Sequence, residues 1–229
     1  MPLPLVVLFE DPHFLAVAKP AGVLTQGRAG GDPTIEEAVR RHLGRDGPSA
    51  GYLGTVHRLD RPVSGVLLWA KTPRAARRLA EQFADRAACK VYWAVVGGHP
   101  EAVEGTWDDL LAPVDPVTTV ARIVVEPGPG ARRAVTGYRR VNAAGLPGGC
   151  SFLRLAPETG RTHQLRAQAA ARELAIVGDR AYGSDRPFAA GIALHARSLT
   201  IEHPATHRSM TFRAPPPESW AGWGVSDDG

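Results

Sequence analysis

The sequence predicts an α+β fold: a central, mostly antiparallel mixed sheet flanked by helices, in one domain over residues 1–229. Three observations carry this. Short apolar runs recur along the chain at spacings that favour antiparallel pairing. Helix starts, recognisable by a capping residue beside a proline or a turn, are few. No internal repeat, low-complexity linker or shift of composition divides the chain, and 229 residues suffice for one substantial core or for two subdomains sharing a cleft.

Residues 14–18 are the first apolar strand, and Lys19-Pro20-Ala21-Gly22 turns the chain sharply after it. Asp32-Pro33-Thr34 predicts a helix start, with Asp32 as N-cap and Pro33 in the first turn. Ile35, Ala38, Val39 and Leu43 follow at helical spacing, and Gly44 stops the helix. Residues 45–52 read as a polar, glycine-rich loop. Residues 66–70 form a buried strand. Thr72-Pro73 then opens a second helix with Ala76, Leu79, Ala80 and Phe83 as its apolar stripe. Its arginines, Arg74, Arg77, Arg78 and Arg86, read as a solvated face.

Residues 90–96 predict a strand with Lys90, Tyr92 and Ala94 on one side, and residues 101–118 read as irregular. Residues 119–126 and 131–141 predict a hairpin around Pro127-Gly128-Pro129-Gly130. A further strand covers 150–155. Residues 193–202 and 209–212 predict a second hairpin, which makes His203 and His207 turn residues rather than a metal pair. From Pro215 the tail is proline-rich and ends acidic, as a frayed terminus does.

Hydrophobic residues make up 44% of the chain and charged residues 22%, the balance of a globular protein. No apolar run approaches the ~20 residues needed to cross a membrane, and the N-terminus shows no secretory leader. Cys89 and Cys150 lie far apart and read as buried thiols in a reducing cytoplasm. The net charge of +4 admits a nucleic-acid partner without identifying one. Lys19, Lys71 and Lys90 are the only lysines among 27 basic residues, a skew that GC-rich coding also produces. The placement of the arginines therefore weighs more than their number.

Two stretches carry chemistry. His57-Arg58-Leu59-Asp60-Arg61-Pro62-Val63-Ser64-Gly65 sets one carboxylate between two guanidinium groups, beside a proline and a glycine that restrict the backbone. An acid entering the core there needs a hydrogen-bonding or charged partner. From these residues alone, a structural Asp–Arg turn clamp and a catalytic acid are equally good readings. Pro157-Glu158-Thr159-Gly160-Arg161-Thr162-His163-Gln164-Leu165-Arg166 predicts a turn and then a helix from Thr162. His163 and Arg166 share a face of that helix and Arg161 stands at its start. That end suits a phosphate or carboxylate group, and equally a plain helix cap with a stacked histidine.

Taken in order, these motifs resemble the RluA family of RNA pseudouridine synthases. The resemblance rests on Lys19-Pro20-Ala21-Gly22, on His57-Arg58-Leu59-Asp60 with Ser64-Gly65, on Lys90, Tyr92 and Ala94, and on Thr159 through Arg166. Gly178-Asp179, Tyr182-Gly183 and Leu194-His195-Ala196 extend it, so that it runs from about residue 10 to residue 217. The chain departs from the family pattern at Val63, where Thr is frequent, and over 101–118. The S4-type RNA-binding domain that many relatives carry ahead of the catalytic part is not expected here.

The resemblance implies the pseudouridine synthase fold with a catalytic cleft, and isomerisation of uridine within rRNA or tRNA. No cofactor and no metal are implied. Asp60 matches the catalytic aspartate, acting either as nucleophile at C1′ or as base at C2′. Tyr92 matches the ring that stacks on the target uracil. Arg166 matches the guanidinium that pairs with the aspartate and holds it ionised. Arg58 matches the side chain that fills the place of the flipped base. His57, Arg161, Thr162, His163 and Gln164 are expected to bind substrate. The protein is expected to be a cytoplasmic monomer with RNA as its partner and no membrane attachment. Two other readings compete: an RNA-binding protein of the same fold without catalysis, and a metal-dependent hydrolase using His57, Asp60, His163, Asp179 and His195. Retention of Asp60, Tyr92 and Arg166 speaks against the first, and the lack of a recognisable metal-ligand spacing against the second.

Overall fold

Seven consecutive residues, Ser64–Ala70, are buried from end to end and form β4. A strand without an exposed side chain needs cover on both faces and neighbours on both edges. The computed structural model, which describes residues 3–27, 31–45 and 51–225, supplies them. The chain folds into two compact units. The first comprises Met1–Cys89 with Ala196–Pro215, and the second Lys90–His195 with Pro216–Gly229. The centre of the expected loop, at 46–50, and the acidic end of the tail lie outside the described residues.

In the first unit the strand order is β1 (Val6–Glu10), β2 (Phe14–Lys19), β4 and β10 (Leu194–Glu202). The short β3 (Gly54–Thr55) also pairs with β4, and β11 (Ser209–Arg213) pairs with β10. β2 and β4 run antiparallel in unbroken register from Phe14 opposite Ala70 to Lys19 opposite Gly65. Alternate residues then separate onto two faces. Phe14, Ala16, Val66, Leu68 and Ala70 pack with Ala75 and Leu79 of α2 (Pro73–Ala84) and with Leu199, Ile201 and Phe212. Leu15, Val17, Leu67 and Trp69 on the opposite face are buried as completely.

α2 starts as expected, with Thr72 as N-cap accepting from Ala75 N–H and Pro73 in the first turn. α1 (Ile35–His42) starts two residues later than expected. Its N-cap is Thr34, whose hydroxyl accepts from Glu37 N–H, while the Glu37 carboxylate accepts from Thr34 N–H. This reciprocal pair outcompetes Asp32, which forms an ion pair with Arg61 instead. The 203–208 turn confirms His203 as a turn residue: its Nδ1 accepts from Ala205 and Thr206 N–H, and its Nε2 meets Asp11.

Gly65 takes φ +123°, and a Cβ built on it would stand 2.3 Å from the carbonyl oxygen of Ala196. That atom is backbone inside a sheet and has nowhere to move. Gly65→Ala is therefore expected to destabilise the fold by about 2 kcal/mol or more. Urea unfolding checks this, and an unchanged midpoint would show that β4 and β10 can part there at no cost.

The second unit orders its strands β5 (Cys89–Gly97), β9 (Cys150–Pro157), β8 (Arg132–Val141), β6 (Glu104–Leu111) and β7 (Ile123–Val124), all antiparallel. Two expectations are corrected here. Residues 104–111, read as irregular, form an eight-residue strand paired along its whole length with β8. The expected hairpin partner of β8, residues 119–126, shrinks to the two residues of β7 and pairs with β6. Once β6 takes that edge of β8, no place is left for another strand. Glu104, Gly105, Asp108 and Asp109 are poor strand formers, so pairing rather than propensity makes β6 a strand. Cys150 is buried as expected, but Cys89, at the open start of β5, is exposed.

Candidate active site

In the first unit, Asp60 is half-buried on a tight turn that leads into β4. Its own carbonyl accepts from Val63 N–H at 3.0 Å, closing the turn. The loop 19–25, the family-like Lys-Pro-Ala-Gly stretch, lies alongside. Gly22 N–H donates to Arg61 C=O at 2.8 Å, and Arg61 Nε donates back to Gly22 C=O at 3.0 Å. Beneath them Lys19 is 1% exposed, with Nζ bonded to the carbonyls of Pro20, Val23 and Arg61 at 2.9, 2.7 and 3.2 Å. Burial brings the Lys19 ammonium down to about 7, against the opposing pull of the Asp60 carboxylate. A buried lysine thus underlies the turn that carries the acid.

His57 and Arg58 precede this turn. His57 Nε2 accepts from Leu68 N–H at 3.0 Å, which places the imidazole proton on Nδ1, and its ring stacks on Phe83 at 4.7 Å. These bonds fasten the loop to β4 and α2, a bracing task that the expected substrate-binding role did not include. Arg58 is exposed.

In the second unit, Tyr92 is half-buried on β5, opposite Leu155. α3 (Gln164–Ala170) is short and buried, and it starts after His163, a non-glycine residue at φ 58°. Arg166 lies on it with its side chain 7% exposed. Its Nε and one Nη grip both oxygens of Asp179, 2% exposed, at 2.7 and 2.8 Å. Two parallel charge-assisted bonds fix the plane of the guanidinium. Tyr182 lies across that plane, with the Arg166 guanidinium carbon 4.7 Å from its ring centre. The Tyr182 hydroxyl accepts from Ala121 N–H at 2.8 Å and meets His163 Nδ1 at 3.0 Å. His163 and Arg166, expected to share a helix face, are thus joined through one tyrosine ring.

Gln164, expected to bind substrate, is turned into the protein. It is 4% exposed, and all four of its hydrogen-bonding positions are taken inside the protein. Oε1 accepts from the Thr159 hydroxyl and Arg161 N–H, and Nε2 donates to Val135 C=O and the Thr136 hydroxyl. Gln164 therefore holds the 159–161 turn against β8. Arg161 and Thr162 remain exposed on that turn, with Arg161 Nε donating to Arg133 C=O. Of the two readings of this helix start, a phosphate or carboxylate site and a plain cap, the structure shows a helix whose first residues are buried and whose N-cap, His163, makes no side-chain cap hydrogen bond.

The sequence assigns no part in the isomerisation to three of these residues: Lys19, Asp179 and Tyr182. Each stood inside a quoted motif, and that was the available signal. Arg61 lies 42 residues from Lys19, and Arg166 lies 13 residues from Asp179 and 16 from Tyr182, separations that spacing does not reveal. Among the described residues, no three His, Cys, Asp or Glu side chains gather to hold a metal ion, and no helix is long and apolar enough to cross a membrane.

An α+β fold with a pinned aspartate turn and a buried arginine–aspartate pair matches an enzyme class whose model, described as RNA pseudouridylate synthase, covers residues 13–171. The chain belongs to this RNA pseudouridine synthase family and is an isomerase. It is 40% identical over 214 residues to the dual-specificity RNA pseudouridine synthase RluA of Escherichia coli (strain K12), covering 92% of this chain and 93% of that one. It is also 35% identical over 229 residues to the ribosomal large subunit pseudouridine synthase D of Zymomonas mobilis, covering 94% and 70%. Among solved structures, human RNA pseudouridylate synthase domain containing 1 superposes with TM-score 0.77 at 26% identity, over 93% of this chain and 84% of that one.

Proposed function

We propose that this chain isomerises uridine to pseudouridine in ribosomal or transfer RNA, as a cofactor-free monomer in the cytoplasm whose catalytic domain comprises both compact units. The N1–C1′ bond breaks, the uracil turns, and C5 bonds to C1′. C5 gives up its hydrogen and N1 gains one, so no electrons enter or leave. The observation that carries this reading is the half-exposed Asp60 on a turn whose main chain is tied down on both flanks. In this reading its carboxylate acts on the sugar.

In this proposal Tyr92 stacks on the target uracil, and Arg166 supplies the positive charge that favours the ionised carboxylate. Arg58 takes the place of the flipped base. Arg161, Thr162 and His163 bind the substrate backbone. His57 and Gln164 support the site through the bracing bonds described above. The names of the relatives, one dual-specificity and one ribosomal, support an RNA drawn from these classes. Mapping pseudouridine in ribosomal and transfer RNA from cells with and without the gene tests the assignment. Identical maps would overturn it.

Exposed arginines next to the site are expected to meet phosphates, so RNA affinity falls steeply as salt rises. Arg58→Ala is expected to lower turnover on structured RNA by about tenfold, and much less on a short unpaired strand where no gap needs filling. Turnover on the two substrates reads this out, and equal losses on both would remove Arg58 from the wedge role.

A further inference from the structure

We propose that Thr25 is a positioning residue for the reaction, whose hydroxyl sets the main chain of Leu59 and thereby aims the carboxylate of Asp60. The inference rests on the reading of Asp60 as the catalytic acid. Thr25 is 4% exposed, and its hydroxyl donates to Leu59 C=O at 2.8 Å while accepting from Leu59 N–H at 3.3 Å. One side chain thus satisfies both main-chain groups of a buried residue 34 positions away. Leu59 belongs to no strand or helix, so the hydroxyl stands where a sheet neighbour would.

The same loop holds the other flank of the acid. Gly22 and Lys19 both bond the Arg61 carbonyl, and the Asp60 carbonyl closes on Val63. The main chain on either side of Asp60 is therefore braced by residues 19–25, and on the Leu59 side the brace is the Thr25 hydroxyl. Removing it frees the torsions that lead directly into Asp60. A displacement of about 1 Å at a reacting group lowers turnover by about a hundredfold. Such a change acts on the chemical step and not on RNA binding, because Thr25 is itself buried.

The test compares Thr25→Val, which keeps the shape and loses the hydroxyl, with Thr25→Ser, which keeps the hydroxyl. Unmodified ribosomal and transfer RNA transcripts carrying uridine tritiated at C5 serve as substrate, and released tritium reports turnover. Rates are taken below the melting temperature of each variant and expressed per folded molecule. Thr25→Val is expected to lower kcat by about a hundredfold with KM within about twofold, and Thr25→Ser to recover to within about threefold of wild type. A kcat for Thr25→Val within about twofold of wild type would overturn the proposal. So would a serine variant as slow as the valine variant. Asp60→Asn, measured alongside, separates the two levels of the argument: if it turns over normally, the catalytic reading of Asp60 has failed, not merely the positioning role of Thr25.

Discussion

Asp60→Asn is expected to leave the fold and RNA affinity intact while lowering turnover by on the order of a thousandfold or more. Asparagine keeps the shape of aspartate but is neither a nucleophile nor a base. The turn survives, because these bonds engage the carbonyls of Asp60 and Arg61 and not the Asp60 side chain: Asp60 C=O with Val63 N–H, and Arg61 C=O with Gly22 N–H and Lys19 Nζ. One consequence reaches Lys19. The Asp60 charge is what raises the affinity of this buried amine for its proton, so the amine becomes easier to neutralise in the variant. Affinity for RNA stays level or rises slightly, since a negative charge near phosphates is lost. Tritium release and filter binding measure the two quantities. Residual turnover above about one part in a thousand would take Asp60 out of the chemistry.

Asp179→Asn is expected to destabilise the protein by about 3–5 kcal/mol and to lower turnover with it. Both members of the Arg166–Asp179 pair are buried, so removing the carboxylate takes from a buried guanidinium the negative charge that grips it at two points. Loss of stability alone would not distinguish a functional arginine from a structural one. The double variant Arg166→Met with Asp179→Leu does, because an apolar pair of similar volume stabilises about as well as a buried ion pair or better. It is expected to melt close to wild type and yet remain inactive, since the guanidinium proposed to support the reaction is gone. Thermal unfolding and turnover, measured on the same preparations, decide it. A stable and active double variant would make Arg166 purely structural.

Local chemistry alone determined a large share of this protein. The apolar run 66–70 reads as an interior strand and Thr72-Pro73 as a helix start, and both form as read, because each signal depends on neighbours a few residues away. The ordered motifs around Asp60, Tyr92 and Arg166 likewise carry the family resemblance, and all three residues lie within the span 13–171 that the family model matches. What tertiary structure decided is of another kind. Glu104–Leu111 is a strand because β8 offers an edge, although its own residues disfavour the conformation. Thr34 displaces Asp32 as the cap of α1 because Asp32 finds Arg61. Gln164 faces inward because four polar groups of the second unit converge on it, and Arg166 is gripped by an aspartate 13 residues away. Thr25 meets Leu59 across 34 residues. Hydrogen bonds between distant segments leave no periodicity in a sequence, because their geometry exists only once the sheet has brought the segments together.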